Sequence, residues 1–380
     1  MHIVVIGAGS IGSHTAYRLA QQGAQVTVLE AGEPGRGTSS ATMAWLSTFP
    51  QLGWEEEPGR AALRTKVHQY FYDIESELDL KVVDWCGTLN IAHGNEAQEL
   101  KHRAQIARSK GAGVIELDAA GAAEVEPLVR LGPGDTAFYQ QESGWVDVAA
   151  LINRLLTRAQ QLGARLLTQT SVTAIERDGT GVTAVHTSTG ELLEADAVVN
   201  CAGSWGTHVA AMAGLTMPLD LRPGRILTTE PLPAESRPTT IVNAPLTSVR
   251  PHPGGSLVLN GRGLQGAGEN TNLSDTAPLI ADIARYVPAL AEVPIAETRI
   301  GIRPVPPGGP IVGALPWAPN FYFAVSHGGI GWAPMWAWFA ARELLHGESV
   351  PELSAMRPER FHWKPEEIGR FADDAEQARR

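Results

Sequence analysis

The chain has 380 residues, a net charge of −11, 43% hydrophobic residues and 19% charged residues. A chain of this length is too long to fold around one hydrophobic core, so we expect a soluble globular enzyme of two domains. The negative net charge argues against a nucleic-acid partner, because nucleic-acid binding requires a basic face. The two cysteines, Cys86 and Cys201, are far apart and form neither a metal-binding spacing nor a disulfide framework, which suits a reducing cytoplasm.

The first thirty residues combine an apolar strand, a glycine-rich turn, a helix, a second apolar strand and an acid. Gly7, Gly9 and Gly12 give the pattern G-x-G-x-x-G. In such a turn Gly7 allows the tight exit from the strand, Gly9 lets the backbone approach a pyrophosphate, and Gly12 lets the helix pack close to the sheet. Glu30 closes the second strand and is placed to accept hydrogen bonds from ribose hydroxyls. The segment therefore predicts a dinucleotide site.

Periodicity continues along the rest of the chain. Helices are predicted at residues 10–22, 59–79, 95–110, 147–162, 204–213, 274–287 and 331–346. Strands are predicted at residues 2–6, 25–29, 88–92, 165–168, 182–187, 197–200, 221–229, 256–260, 296–302 and 321–325.

The order of these elements predicts an α/β protein with a Rossmann-like sheet and a second α+β domain built on an antiparallel sheet. The first three strands alternate with helices, which favours parallel pairing. Residues 216–265 instead hold successive strands with Pro and Gly between them, which favours an antiparallel sheet. The predicted nucleotide-binding domain is discontinuous and comprises residues 1–85, 145–215 and 300–347. The predicted second domain comprises residues 86–144 and 216–299. Residues 348–380 are predicted to form a tail that wraps the surface or frays.

No segment is expected to span a membrane or to direct secretion. The longest apolar stretch near the C-terminus runs from Trp332 to Leu345, contains Arg342 and Glu343, and is too short to cross a bilayer. The N-terminal apolar run ends at the glycine turn, unlike a signal peptide. A cytoplasmic location is expected.

Three further segments are rich in small residues. Residues 35–40 form a Gly-Ser-Thr cluster, which is either a plain loop or a contact to phosphate groups next to the first turn. Residues 198–206, VVNCAGSWG, repeat the order of strand, small-residue turn and helix. Residues 326–332, SHGGIGW, precede the last long helix, where successive N–H groups can face an anion or a carbonyl oxygen.

Arg303 lies in a fourth segment, Gly301-Ile302-Arg303-Pro304. An arginine between Gly and Pro at a strand end is poorly placed for a plain surface role, and its planar fork suits a carboxylate. Two other arginines, Arg225 and Arg250, lie in the predicted antiparallel sheet, where a solvated or structural role is more common than substrate binding.

Together these segments resemble the FAD-dependent amine and amino-acid oxidoreductases, a family that includes D-amino acid oxidases and dehydrogenases, glycine oxidase and sarcosine oxidase. The resemblance runs from Ile3 to about Gly347. It implies FAD as the cofactor, bound by the Rossmann-like domain, and an α+β substrate domain. The residues that it places at the cofactor are Gly7, Gly9, Ser10, Ile11, Gly12, Glu30, Ala31, Thr38, Ser39, Ser40, Ala44, Trp45, Val172, Ala202, Gly203, Trp205, Gly301, Arg303, Gly328, Gly329, Ile330, Gly331 and Trp332.

The resemblance also implies the chemistry. The C–N bond of an α-amino acid (a D-amino acid, glycine or an N-methyl amino acid) is oxidised by hydride transfer to flavin N5, and the imino acid then hydrolyses. Arg303 matches the position that holds the substrate carboxylate, and His327 is the second candidate catalytic residue. Family members with covalent flavin carry a cysteine shortly after the arginine segment. Residues 305–320 contain none, so non-covalent FAD is expected.

Two other functions stay open from the sequence. Oxidation of a 2-hydroxy acid would require a base for the hydroxyl proton, and His327 is the histidine that the motifs offer. A flavin-binding subunit without turnover would have no need of Arg303. The expected partner is a small amino acid or amine, while its side chain, the electron acceptor and the oligomeric state are not predicted.

Overall fold

A computed structural model describes residues 1–48, 62–261 and 275–361. Its strands, in chain order, are β1 His2–Ile6, β2 Gln25–Leu29, β3 Trp45–Leu46, β4 Val83–Asp84, β5 Thr88–His93, β6 Val114–Leu117, β7 Asp135–Gln140, β8 Gly144–Val146, β9 Arg165–Leu167, β10 Val172–Asp178, β11 Gly181–Thr187, β12 Leu192–Glu194, β13 Ala197–Asn200, β14 Asp220–Thr229, β15 Ile241–Asn243, β16 Thr247–Pro251, β17 Leu257–Gly261, β18 Ile295–Val305, β19 Ile311–Leu315 and β20 Ala318–Val325.

The α-helices match the predicted ones closely, apart from an additional short one. They are α1 Ser10–Gln21, α2 Val67–Leu78, α3 Asn95–Ser109, α4 Ala119–Val125, α5 Val148–Gln161, α6 Gly206–Met212, α7 Ala277–Tyr286 and α8 Gly329–His346. The predicted helices 59–79 and 274–287 begin at residues that lie outside the described part of the chain. No described helix is long and apolar enough to cross a lipid bilayer.

A six-stranded sheet has the order β19-β20-β13-β1-β2-β9. Strand β1 pairs in parallel with β2 and β13, and β13 pairs in parallel with β20. Parallel strands end at the same edge of a sheet. The chain leaves β1 at Gly7, β2 at Glu30, β13 at Cys201 and β20 at Ser326. Four of the segments singled out in the sequence therefore meet at one edge.

Hydrophobic side chains pack against both faces of this six-stranded sheet. Ile3 and Val5 of β1 pack with helices α1, α5 and α8, where Leu155 and Trp336 are fully buried. Val4 and Ile6 face the other side, which is covered by the small antiparallel sheet β10-β11-β12. Burial on both faces is typical of parallel strands and explains their continuous apolar runs.

An eight-stranded sheet has the order β18-β14-β17-β16-β15-β5-β7-β6 and is antiparallel except for the pair β15 and β5. Strands β14, β16 and β17 confirm the antiparallel sheet predicted within residues 216–265, as far as Gly261. The longest pair is β14 with β18, in the register Arg222 opposite Arg303. The segment that contains Arg303 is therefore part of the eight-stranded sheet.

Parallel pairing of the first three predicted strands is correct for the first two only. The third, β5, joins the eight-stranded sheet, where β7 returns antiparallel to it. Periodicity identifies a strand but does not reveal its partner, and β7 was not predicted.

The predicted domain boundary at residue 300 lies inside a strand. Strand β18 runs through it and pairs with β14 along its whole length, so residues 300–305 belong to the antiparallel sheet. The division of the rest of the chain into two domains stays a prediction.

The start of the predicted C-terminal tail is docked rather than frayed. Leu353 and Met356 are buried. Arg357 donates two hydrogen bonds to the Glu343 carboxylate of α8, and Arg360 donates to the carbonyl oxygens of Pro310 and Gly309. Residues 362–380 lie outside the described part of the chain.

Candidate active site

A cavity of about 560 Å³ runs from the carboxyl edge of the six-stranded sheet to the face of the eight-stranded sheet. Most of the predicted site residues line it. They are Gly7, Gly9, Ser10, Ile11, Glu30, Ala31, Thr38, Ser39, Ala44, Trp45, Val172, Ala202, Gly203, Trp205, Arg303, His327, Gly328, Gly329, Ile330 and Gly331.

The glycine-rich turn lies in the middle of this cavity. Helix α1 starts at Ser10 after Gly9, which offers no side-chain oxygen as a cap. The Ser10 N–H donates to Ser39 Oγ at 3.0 Å, so the predicted cluster at 35–40 does lie against the first turn. The remaining N–H groups of the first helical turn have no partner within the helix, and an anion satisfies such groups well.

Glu30 lies at one end of the cavity. Its carboxylate accepts the Ala8 N–H at 2.8 Å and the Gly32 N–H at 2.9 Å. Each oxygen keeps a further lone pair, so the fixed carboxylate can still accept hydrogen bonds from two hydroxyls. Thr170 and Val172 line the cavity beside it.

The glycine segment before α8 lies at the other end. Strand β20 stops at Val325, Gly328 adopts a left-handed conformation with φ 73°, and α8 begins at Gly329. The first N–H groups of this helix belong to residues in the cavity wall. A helix N-terminus carries positive partial charge, which would stabilise negative charge that develops on a bound group.

Arg303 projects from β18 across the backbone of β14. A Cβ built at Gly224 would lie only 2.8 Å from Arg303 Nε, so the side chain depends on a glycine at that position. Its Nη2 donates to the Pro223 carbonyl oxygen at 2.9 Å, while Nε is buried without a hydrogen-bond partner in the described residues. Burial, and then the charge of Arg222, lower the pKa of Arg303.

The position of Arg303 is tied to the two loops of the nucleotide edge. The hydroxyl groups of Thr38 and Ser204 both donate to the carbonyl oxygen of Ile302, at 2.6 and 2.5 Å. The loop after β2 and the turn after β13 therefore hold the strand that carries Arg303, immediately before that residue.

Four predicted contact residues lie behind the cavity wall instead of lining it. Gly12 packs on the Gly7 carbonyl, Gly301 packs on Ala41, and the Ser40 hydroxyl donates to the Gly37 carbonyl at 2.9 Å. Trp332 is buried and stacks on Trp336 with ring centres 5.1 Å apart. Gly12, Gly301 and Trp332 are packed against neighbouring residues behind the wall, and the Ser40 hydroxyl is occupied within its own loop.

Trp45 lines the cavity but has its polar atom occupied. Its indole N–H is shared between Thr88 Oγ1 at 3.0 Å and Ser143 Oγ at 2.9 Å. The neighbouring Ala44 has φ 53°, a left-handed conformation that is uncommon outside glycine. Trp45 can therefore offer only its ring carbons to a ligand.

Arg225 and Arg250 have structural roles. Arg225 Nη1 donates to the Asp275 carbonyl at 2.7 Å, and Arg250 Nε donates to the Met43 carbonyl at 2.8 Å. Burial lowers the pKa of Arg250 to about 10. Both side chains hydrogen-bond to backbone carbonyl groups and neither lines the cavity, so we expect neither to contact the substrate.

Sequence reasoning missed the part of the wall that the eight-stranded sheet supplies. The missed residues include Gly224, Ile226 and Asn260. Strand alternation in 221–229 separates Ile226 from the buried Leu227, but it does not say which face borders a cavity. Among the described residues no cluster of His, Cys, Asp and Glu could hold a metal ion.

Comparison with known proteins agrees with the geometry of this site. A family model described as FAD dependent oxidoreductase matches residues 2–344. The chain belongs to the FAD dependent oxidoreductase family. One relative is the uncharacterized oxidoreductase YurR of Bacillus subtilis strain 168, which is 28% identical over 93% of this chain and 98% of the relative. Another is the glycine oxidase of Pseudomonas aeruginosa PAO1, which is 28% identical over 86% of this chain and 89% of the relative.

A solved structure confirms the predicted fold class of this FAD-dependent oxidoreductase. Glycine oxidase from Geobacillus kaustophilus superposes with a TM-score of 0.81 at 23% identity, covering 93% of this chain and 97% of that one. The likeness at this identity concerns the fold.

FAD is the cofactor of the family, and the cavity fits it. A Cβ at Gly9 would lie 3.2 Å from Ser39 Oγ, so a side chain there would crowd the turn that a pyrophosphate must approach. Glu30 offers acceptors for ribose hydroxyls, and the α8 N-terminus offers N–H donors at the opposite end. We expect the adenosine near Glu30 and Val172, the pyrophosphate at Gly9, and the flavin ring near Gly329 and Ala44.

Replacement of Glu30 by alanine is expected to weaken FAD binding by about 1–3 kcal/mol, the loss typical of a hydrogen bond to a charged group. The affinity is measured by flavin fluorescence on titration of the apoprotein. Glu33→Ala is the matched control, because Glu33 pairs only with Arg36 at the surface. Equal affinities of the two variants would mean that Glu30 does not contact the ribose.

Acid precipitation is expected to release the FAD into the supernatant. Burial raises the pKa of both Cys86 and Cys201 to about 12, so neither thiol is poised as a nucleophile that could form a covalent link. The absorbance spectrum of the supernatant checks this, and flavin absorbance retained in the pellet would reveal a covalent bond.

Proposed function

We propose that this enzyme oxidises the C–N bond of an α-amino acid that is held through its carboxylate by Arg303. The observation that carries the proposal is a half-buried guanidinium in the cavity wall that has no ion pair with a described carboxylate. A cation removed from water is costly without a counter-charge. A substrate carboxylate would supply that charge and could bind through two parallel hydrogen bonds.

In the proposed reaction the substrate Cα loses hydrogen with two electrons, its amine loses a proton, and the C–N single bond becomes C=N. Bound FAD supplies the two-electron acceptor. Water then adds to the imine, releasing ammonia and leaving a 2-oxo acid. The protein contributes orientation of the substrate by Arg303 and exclusion of water.

The α8 N-terminus supports the electron transfer in this proposal. Its N–H groups and its positive partial charge would stabilise the negative charge that the reduced cofactor gains. His327 precedes this turn in the cavity wall and is our candidate for moving the amine proton.

Anaerobic titration of the purified flavoprotein tests the function. Both enantiomers of a panel of α-amino acids, together with N-methyl amino acids and 2-hydroxy acids, are added while flavin absorbance is followed. Bleaching by amino acids supports the proposal. Bleaching by 2-hydroxy acids alone would overturn it in favour of alcohol oxidation, and no bleaching by any compound would indicate a subunit without turnover.

A further inference from the structure

A row of polar side chains crosses the cavity-facing side of the eight-stranded sheet. Ile226 lies directly opposite Asn260, which lies opposite Ser248, and Ser248 lies opposite Asn243. Residues directly opposite on paired strands project from the same face. On the next strand Asn90 pairs with Asn243 and completes the row.

The buried members of this row form a hydrogen-bonded chain with one direction. Ser248 Oγ donates to Asn243 Oδ1 at 2.7 Å, and Asn243 Nδ2 donates to Asn90 Oδ1 at 2.8 Å. Asn90 Nδ2 points to the Phe138 carbonyl at 3.5 Å. Each of these three hydrogen bonds is therefore donated in the direction away from the cavity. A hydroxyl group has one proton, and Ser248 donates its proton to Asn243.

Asn260 is the end of the row that reaches the cavity. Among the described residues the Asn260 side chain makes no hydrogen bond to Ser248, whose proton is donated to Asn243. The amide oxygen and the N–H₂ of Asn260 therefore both remain for a ligand in the cavity. The wall presents a group that can accept and donate a hydrogen bond.

We propose that Asn260 selects α-amino acids whose side chain carries a hydroxyl or amide group that can hydrogen-bond to its amide. The inference rests on the proposed function, in which Arg303 holds the carboxylate and the amine lies at the reacting face. The side chain is then the substituent left to extend along the sheet.

The spacing agrees with this assignment. Arg303 lies over Gly224, and Asn260 is two residues further along β14 and one strand across. Strand rise and strand separation place the backbone positions of Gly224 and Asn260 about 8 Å apart. A substrate whose carboxylate is held by Arg303 over Gly224 can therefore extend a substituent on its β- or γ-carbon toward Asn260.

The test compares isosteric substrates that differ in the donor, threonine with valine and asparagine with leucine, in the enantiomer that the enzyme oxidises. We expect the wild type to favour the polar member of each pair by about tenfold or more in kcat/KM. Asn260→Leu is expected to abolish or reverse that preference.

Thr228→Val is the matched control, since Thr228 lies on the same face of β14 but not in the cavity wall. It should keep the wild-type preference, and Asn260→Ala serves if the leucine variant fails to fold. Oxidation of amino acids with the same preference in wild type and Asn260→Leu would overturn this inference and leave the proposed function intact. A flavin that no amino acid reduces would overturn both.

Discussion

Replacement of Arg303 by alanine is expected to lower kcat/KM for an amino-acid substrate by about 2–5 kcal/mol of transition-state stabilisation. The variant loses both the charge and the fork that would bind the carboxylate. Arg303→Lys keeps the charge but not the paired donors and should lose less. FAD content should be unchanged in both, because Arg303 lies on the eight-stranded sheet, away from Glu30 and the glycine turn.

Two comparisons separate substrate binding from general damage. Arg222 lies opposite Arg303, is partly exposed, does not line the cavity and pairs with Asp220, so Arg222→Ala should have a small effect. Amines that lack a carboxylate should be oxidised equally by wild type and Arg303→Ala. An equal loss for those amines would mean that Arg303 does not recognise the carboxylate.

The Gly224 position offers a second route to the same result. A Cβ there would displace the Arg303 side chain, which has its Nε 2.8 Å from that point. Gly224→Ala is therefore expected to resemble Arg303→Ala in steady-state kinetics while the arginine itself remains.

Replacement of Gly12 by alanine is expected to have the largest effect on the protein as a whole. A Cβ at Gly12 would lie 1.8 Å from the carbonyl oxygen of Gly7 and 3.3 Å from Cys201. The obstacle is backbone, so α1 must move away from the sheet. Such overpacking costs about 1–3 kcal/mol of folding stability. The displaced helix N-terminus should also lose at least tenfold in FAD affinity.

The checks are urea denaturation of the apoprotein and titration with FAD. Gly179→Ala is the matched control, because Gly179 lies in an exposed hairpin turn with nothing within 4 Å of its added Cβ. If Gly12→Ala matched that control in both measurements, the close approach of helix and strand would not be what Gly12 provides.

The local elements of the nucleotide edge were predictable because each is encoded within a few neighbouring residues. Strands β1 and β2 are continuous apolar runs, the turn between them needs glycines, and the helix starts where the glycines end. Glu30 and the residues 326–332 could be found in the same way. Their meeting at one edge follows from parallel pairing alone.

The substrate side of the cavity was less accessible to sequence reasoning. Asn260, Ile226 and Gly224 carry no local pattern that marks a site, since alternation divides a strand into two faces without saying what each face covers. Arg303 was recognised by its flanking Gly and Pro, yet its strand was expected in the other domain. Which strands pair, and in what register, depends on residues far apart in the chain.

Local sequence was sufficient to locate the nucleotide-binding turn, the acid after the second strand, the arginine and the glycine segment before the last helix. These are short patterns that follow from backbone geometry and charge. The packing of distant elements was needed to show that Gly301 and Trp332 support the wall instead of lining it, that Arg250 donates to a backbone carbonyl, and that Asn260 ends a polar row at the cavity. Those outcomes depend on which side chains occupy a given space, and the pairing and packing of strands that are distant in sequence determine this.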